Sequence, residues 1–391
     1  MIEYMKNNHY WSFMRLQENP VSFDHWMLKE IYEQPETLAV TLAHYVKNGA
    51  FRATPNVGAR QWLLQTKGEI VIAASGSSRH AGIFAELMIE DLSGIAVDVE
   101  YASEYCYRSE KSLKNASVLV ISQSGETADT LAAMRKATTS GHRTLAVTNV
   151  PDSTMASEAT VSYPIFAGRE RAIPATKSFT AQLLVLHLLA LLAAEARGTL
   201  SEQEVRTSLQ NLEALPALLT ERLPLWDAAV RAIAPKFRST KSFLFLGRGL
   251  HYPIAREGAL KLKESSYLHA EGYPSGELKH GPNALVSEGT PVVMIATVDR
   301  ADADSVLRYE KVVQLMQDMR RQGATILCVA NDGDTAVQAL ANHVLFVPAL
   351  TESVLPLAEV IPFQIFSYFM AVQAGIDVDS PRNLTKAVLA E

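Results

Sequence analysis

The sequence predicts an α/β protein of two tandem domains, each a doubly wound parallel five-stranded sheet flanked by helices. Three observations predict it. Short apolar runs such as 118–121 (V-L-V-I) lack the polar alternation of half-exposed strands, as parallel sheets buried on both faces require. These runs alternate with helical patterns along most of the chain, which implies right-handed crossovers. The order strand, glycine turn, helix occurs twice, as A-S-G-S-S at Ala74 to Ser78 and G-R-G at Gly247 to Gly249.

Taken in order, residues 1–22 show no strong period and read as an arm. Residues 23–47 read as helices, with Pro35 opening the second, where its missing N–H is not needed. This N-terminal segment, 1–47, precedes a first domain at 48–200. There a strand at 69–74 runs into the hydroxyl-rich turn Ser75-Gly76-Ser77-Ser78 and a helix at 79–91. Further strands are expected at 95–101, 118–121, 144–148 and 161–166. A helix at 181–194 has almost no polar face, so it belongs in the core or at a subunit contact. Residues 201–235 form a helical connector that Pro216 and Pro224 are expected to break. The second domain, 236–375, repeats the pattern, with four of its strands located at 242–246, 291–296, 324–330 and 343–347 and helices at 253–264 and 303–322. A tail, 376–391, closes the chain.

Composition bounds the class. The 391 residues suffice for two sizeable cores. With 48% hydrophobic and 20% charged residues and a formal charge of −6, the balance is that of a soluble protein with no basic run for a nucleic acid. Cys106 and Cys328 are the only cysteines, too few to close a zinc site alone, and no metal or other cofactor is expected. Residues 1–17 lack a signal-peptide core. The apolar stretch 183–194 is too short for a bilayer, so a cytoplasmic protein without a membrane partner is expected.

Ligands of such sheets bind beyond the strand C-termini, where both serine turns lie. Ser122-Gln123-Ser124-Gly125 joins a strand to a helix whose first N–H groups and dipole favour an anion. Hydroxyls around them favour phosphate. An ordinary serine cap is the plainer reading of either turn alone. In E-G-A-L-K-L-K-E, Glu257 to Glu264, Lys261 and Glu264 stand three apart on one helix face. The plain reading is a solvated face with ion pairs. Residues 267–286 form a polar loop without a clear period. Within it the rigid G-E-L-K-H-G-P turn makes His280 the histidine with a functional reading, and His269 a structural one. Lys386 lies in an apolar tail able to dock and deliver it.

These motifs, together with K-E-I-Y-E-Q-P at Lys29 to Pro35, H-A-E at His269 to Glu271 and D-V-D-S-P-R-N-L-T-K at Asp377 to Lys386, make the chain resemble the isomerase half of the glucosamine-6-phosphate synthases. That half is built from two sugar-isomerase (SIS) domains. The resemblance runs from about residue 27 to the end. It implies a sugar 6-phosphate site in the first domain, with Ser77, Ser78, Ser122, Gln123, Ser124 and Thr127 as ligands and Ile173 and Ala175 in the facing loop. It also implies catalytic roles. Lys386 would form a Schiff base with the open-chain ketose, and His280 would assist ring opening from the neighbouring subunit of a homodimer. Glu264 would carry the proton between C1 and C2, with Lys261 helping at the sugar oxygens. Two departures stand out. Position 2 is Ile2 rather than the cysteine that opens the synthases' amidotransferase domain, so free ammonia is the expected nitrogen source. The family's V-A-S-T-K loop is here Ile173-Pro174-Ala175-Thr176-Lys177, with Arg169 and Arg171 nearby, which resembles the SIS-type glucosamine-6-phosphate deaminases. The expected activity interconverts fructose 6-phosphate and glucosamine 6-phosphate. A deglycase acting on fructosamine 6-phosphates and a non-enzymatic phosphosugar sensor are the alternatives.

Overall fold

A computed structural model describes residues 23–109 and 115–388; the arm at 1–22 and Leu389 of the tail lie outside the described residues. The described chain opens with α1 (Trp26–Tyr32) and α2 (Gln34–Tyr45), the latter with Pro35 in its first turn as expected, and α3 (Ala53–Gln65) follows. The first sheet comprises β1 (Ile70–Ala74), β2 (Val97–Tyr101), β3 (Ser117–Ser122), β4 (Thr144–Thr148) and β5 (Val161–Ser162). Its order is β2-β1-β3-β4-β5, all parallel, with α4 (Gly76–Ser93) and α5 (Ala128–Thr139) as crossovers. Two long helices, α6 (Lys177–Arg197) and α7 (Glu202–Ile233), lead to the second half.

That half contains β6 (Ser242–Gly247), α8 (Tyr252–Ser266), β7 (His269–Pro274), β8 (Pro291–Ala296), α9 (Ala303–Arg321), β9 (Thr325–Asn331), β10 (His343–Val347) and α10 (Leu355–Gln373). Its sheet order is β7-β6-β8-β9-β10, again all parallel and identical to the first. One apolar cluster runs from Met27 and Ile72 through Leu188 to Phe245 and Val360, so the two halves share a core.

Four elements differ from expectation. Strand β5 stops at Ser162, although the N–H groups of Tyr163 and Ile165 still reach β4 carbonyls; Pro164 between them has no N–H to give. Residues 269–274 are strand β7, not loop. Gly272 erases the strand pattern because the edge strand passes too close to α8 for a side chain: a Cβ there would lie 2.6 Å from Arg256 Cα. Helix α7 runs unbroken through Pro216 and Pro224. Its stripe of Leu209, Leu212, Leu219, Leu223 and Trp226 is buried, and that packing outweighs roughly 3 kcal/mol per proline. Helix α10 was not foreseen. Its residues 355–371 are all buried, which hides any amphipathic period. Both α6 and α10 are long and apolar enough to cross a membrane, and both lie almost wholly inside the molecule as core helices.

The crevice at the C-terminal ends of the second sheet is occupied by the chain itself. His251, buried, pairs through Nδ1 with Glu359 (2.9 Å) and through Nε2 with Glu352 (3.3 Å). Arg308 binds Glu352 at 2.8 Å, and the hydroxyls of Thr297 and Ser305 donate to Glu359 and Glu352.

Candidate active site

The corresponding crevice of the first sheet holds a cavity of about 170 Å³. Its floor is the turn after β3. Gly125 there has φ +68°, and a Cβ would sit 2.1 Å from Ser153 Oγ, so only glycine fits. The turn is wound by its own hydroxyls: Ser122 Oγ accepts from Gly125 N (3.1 Å) and Ser124 Oγ from Glu126 N (3.1 Å), while Ser122 and Thr127 hydroxyls lie 3.0 Å apart. Ser122, Gln123, Ser124 and Thr127 all line the cavity. The helix begins at Ala128 rather than Glu126, and its first N–H is already given to Val388 O of the tail (2.9 Å).

The turn after β1 supplies the next wall, with Ser77 and Ser78 on the cavity. Ser78 Oγ accepts from Gln182 on α6 (3.1 Å). Ser77 Oγ donates to Glu257 Oε1 (2.8 Å), a residue of α8 in the other half. Helix α8 thus reaches across the two sheets. Glu257 and Lys261 are 0% and 1% exposed at their side chains, so the expected solvated face is instead buried at the domain junction. Glu257 also takes His80 Nδ1 (2.8 Å) and stands 3.5 Å from Lys261, which pairs closely with Glu264. Burial opposes charge on both partners. It is outweighed: Lys261, His80 and Ser77 hold the Glu257 carboxyl below its usual range, and Glu264 and Glu257 hold the Lys261 ammonium above its own. Glu264 is the exposed end of the triad, at 22%.

The third wall comes from the tail and the loop before α6. Ile173, Ala175 and Lys386 line the cavity, and Ile173 N donates to Asp379 O (2.9 Å), which seats the tail. Asp379 in turn caps α1 through Trp26 N and Met27 N. Lys386 Nζ donates to Glu170 Oε2 (2.6 Å) and Ala172 O (2.7 Å). Glu170 was not foreseen. It is buried and also accepts from Thr176 N, Ser178 N and Ser178 Oγ. Burial pushes its carboxyl up, but Lys386 and these donors bring it down to about 2. Burial and the neighbouring Glu170 push Glu30, on α1, up to about 8. The charge beside Lys386 is therefore Glu170, not Arg169, which is exposed, or Arg171, whose guanidinium stacks 4.2 Å from the Trp26 ring. Its one sequence signal is that Glu170 is the only acid between Glu158 and Glu195.

Eleven predicted site residues thus meet in one cavity: Ser77, Ser78, Ser122, Gln123, Ser124, Thr127, Ile173, Ala175, Lys261, Glu264 and Lys386. His280 does not join them within this chain. It sits exposed at the end of the short turn Glu277–His280.

The SIS domain profile matches residues 63–192 and 236–374, the two halves that carry the two sheets. The chain belongs to the SIS-domain family. Relatives include a glutamine–fructose-6-phosphate aminotransferase of Chlorobaculum tepidum, 41% identical over 371 residues, and one of Bordetella parapertussis, 42% identical over 377. In both cases the match covers 94% of this chain and 59% of the relative, so the chain spans about three-fifths of their length. Among solved structures, the C-terminal domain of the glucosamine–fructose-6-phosphate aminotransferase of Francisella tularensis superposes with a TM-score of 0.86 at 36% identity, covering 93% of this chain and 100% of that one. A glucosamine-6-phosphate deaminase of Thermotoga maritima superposes with a TM-score of 0.67 at 25% identity, covering 93% and 99%.

Proposed function

We propose that this SIS protein is a sugar-phosphate isomerase that interconverts fructose 6-phosphate and glucosamine 6-phosphate, with nitrogen entering or leaving as free ammonia. The observation that carries this reading is the meeting of a hydroxyl-lined turn with a lysine–carboxylate pair and a second lysine in one small cavity. Names of relatives in both directions, aminotransferase and deaminase, support the same pair of sugars.

In this reading the hydroxyls of Ser122, Ser124 and Thr127, with Ser77, Ser78 and Gln123, hold the phosphate. Lys386 gives its ammonium proton to solvent as it leaves Glu170, whose carboxyl is held too low to keep it, then adds as the free amine to the C2 carbonyl of the open-chain ketose and forms an imine with loss of water. Ammonia then displaces Lys386 at C2. Glu264 removes the C1 proton and returns it to C2, while Lys261 steadies the oxygen at C1 as it becomes the aldehyde. His280 serves ring opening from a partner subunit, so the active species is a homodimer, in the cytoplasm. A preparation that stays monomeric at micromolar concentration by light scattering overturns that part.

The test incubates purified protein with glucosamine 6-phosphate and follows ammonia and fructose 6-phosphate. A second arm supplies fructose 6-phosphate with ammonium. Product in either arm is expected, and none in both overturns the reading. Ala175 favours one further reading, because it puts a methyl on the cavity where the resembling family has a serine and leaves room for a bulkier leaving amine. Release of glucose 6-phosphate from a fructosamine 6-phosphate, without ammonia release from glucosamine 6-phosphate, would select it.

A further inference from the structure

A second and larger cavity, about 440 Å³, lies against the same two walls as the sugar cavity and shares none of its lining residues. The start of α4 and its cap give Ser75, Ser77 and Ser78 to the sugar cavity and Gly76, Arg79 and His80 to this one. Helix α8 gives Lys261 and Glu264 to the first and Arg256 and Lys263 to the second. Edge strand β7 closes the far side.

The lining is basic and aromatic. The Arg79 guanidinium stacks on the Tyr101 ring at 3.9 Å, and among the described residues its one hydrogen bond goes to a backbone carbonyl, Val99 O (3.3 Å). Its Nε and Nη1 are buried without a partner. Among the described residues Arg256 donates only to phenols, those of Tyr252 (3.2 Å) and Tyr101 (3.4 Å). Lys263 is exposed at the mouth. Among the described residues none of these three cations is paired with a carboxylate. Among the described residues Glu271 is the one acid in the lining, and its carboxylate takes the Tyr273 hydroxyl. Two of the cations, Arg79 and Arg256, meet at Tyr101. The hydrogen bond from Arg256, against burial and with Arg79 and Lys263 adding to it, holds that phenol below its ordinary range. Guanidinium groups in a fixed fork beside tyrosine hydroxyls suit a tetrahedral oxyanion, and the volume leaves room for a small body behind it.

We infer that the cavity between Arg79, Arg256 and Lys263 is a second anion site, distinct from the sugar cavity, that takes a small phosphate-bearing molecule. Its floor is wired to the sugar cavity. His80 lines the second cavity and bonds Glu257, which bonds Ser77 and faces Lys261 in the first. Occupancy of one cavity therefore acts on groups of the other through two side chains.

The test titrates the full chain with inorganic phosphate at low ionic strength and counts bound phosphate. Two per chain are expected. Arg79→Gln/Arg256→Gln should lose one and keep the phosphate at the Ser124 turn, whereas Ser124→Ala should weaken only the other. A single phosphate that Ser124→Ala abolishes, or two that survive in the double arginine variant, overturns the inference. A single phosphate lost with the arginines would instead sustain it and remove the phosphate seat from the proposed sugar site. Lys263→Gln changes an exposed residue and leaves the fold alone. It should weaken the second phosphate about fivefold, as a surface charge near 4 Å does, and an unchanged affinity also overturns the inference.

Discussion

At the scale of single residues, the carboxylates around the cavity differ in how far they are buried. Glu170 and Glu257 are wholly buried acceptors, each with several donors, whereas Glu264 keeps a partly open face. This predicts different fates on neutralisation. Glu264→Gln keeps shape and should lower turnover by about 10²–10⁴-fold, the usual contribution of a positioned acid–base group, with borohydride still trapping a sugar adduct on Lys386. The check pairs melting temperature with turnover. A variant that melts far lower yet turns over like the parent would sink the catalytic role. Ser124→Ala tests the turn. Loss of one charge-assisted hydrogen bond should weaken a sugar 6-phosphate about ten- to a hundredfold. It also frees Glu126 N, so a modest drop of about 1 kcal/mol in stability accompanies it, read by urea melts. Affinity unchanged in a calorimetric titration moves the phosphate elsewhere.

At the scale of elements, α8 and the second crevice show how one topology serves two ends. The turn after β1 opens on a cavity; its counterpart after β6 closes on His251 and two carboxylates. His251 is pushed up to about 10: burial opposes, but Glu359 and Glu352 prevail. Glu352 is brought down to about 2 against burial, by His251 first. A raised histidine stabilises fully below its unfolded value near 6.5 and loses that stability as pH climbs through 10. A depressed carboxyl stabilises above 4.5 and loses it as pH falls toward 2. The network is therefore at full strength between about pH 4.5 and 6.5. Melting temperature should fall from pH 7 to 10, and His251→Gln should flatten that slope while lowering the maximum. An equally steep alkaline slope in the variant would place the titrating group elsewhere.

At the scale of the whole molecule, much was legible because it repeats. Parallel strands announced themselves as apolar runs and the serine turns pointed to the ligand end, whereas the E-G-A-L-K-L-K-E helix, whose pattern alone reads as a solvated face, was tied to the cavity only through the family resemblance. What stayed hidden has physical causes. Helix α10 is apolar all round, β7 carries a glycine forced by α8, and Glu170 acquires its part only when the tail folds back. The shared core makes a further prediction. Fragments 1–239 and 240–391 each expose half of one cluster, so each alone should be insoluble, and co-expression should recover a phosphate-binding pair. A soluble, cooperatively melting single fragment, by calorimetry, would show that the halves are independent. The self-filled second crevice has an evolutionary consequence. On the proposed function, one copy of the ligand end carries specificity and the other, filled by its own side chains, carries cohesion. Substitutions at Ser122, Ser124 or Thr127 are then judged by what the protein binds, and those at His251, Glu352 or Glu359 by whether it survives warming. A mutational library sorted first for heat resistance and then for phosphosugar binding should lose variants at the second group in the first sort and at the first group only in the second.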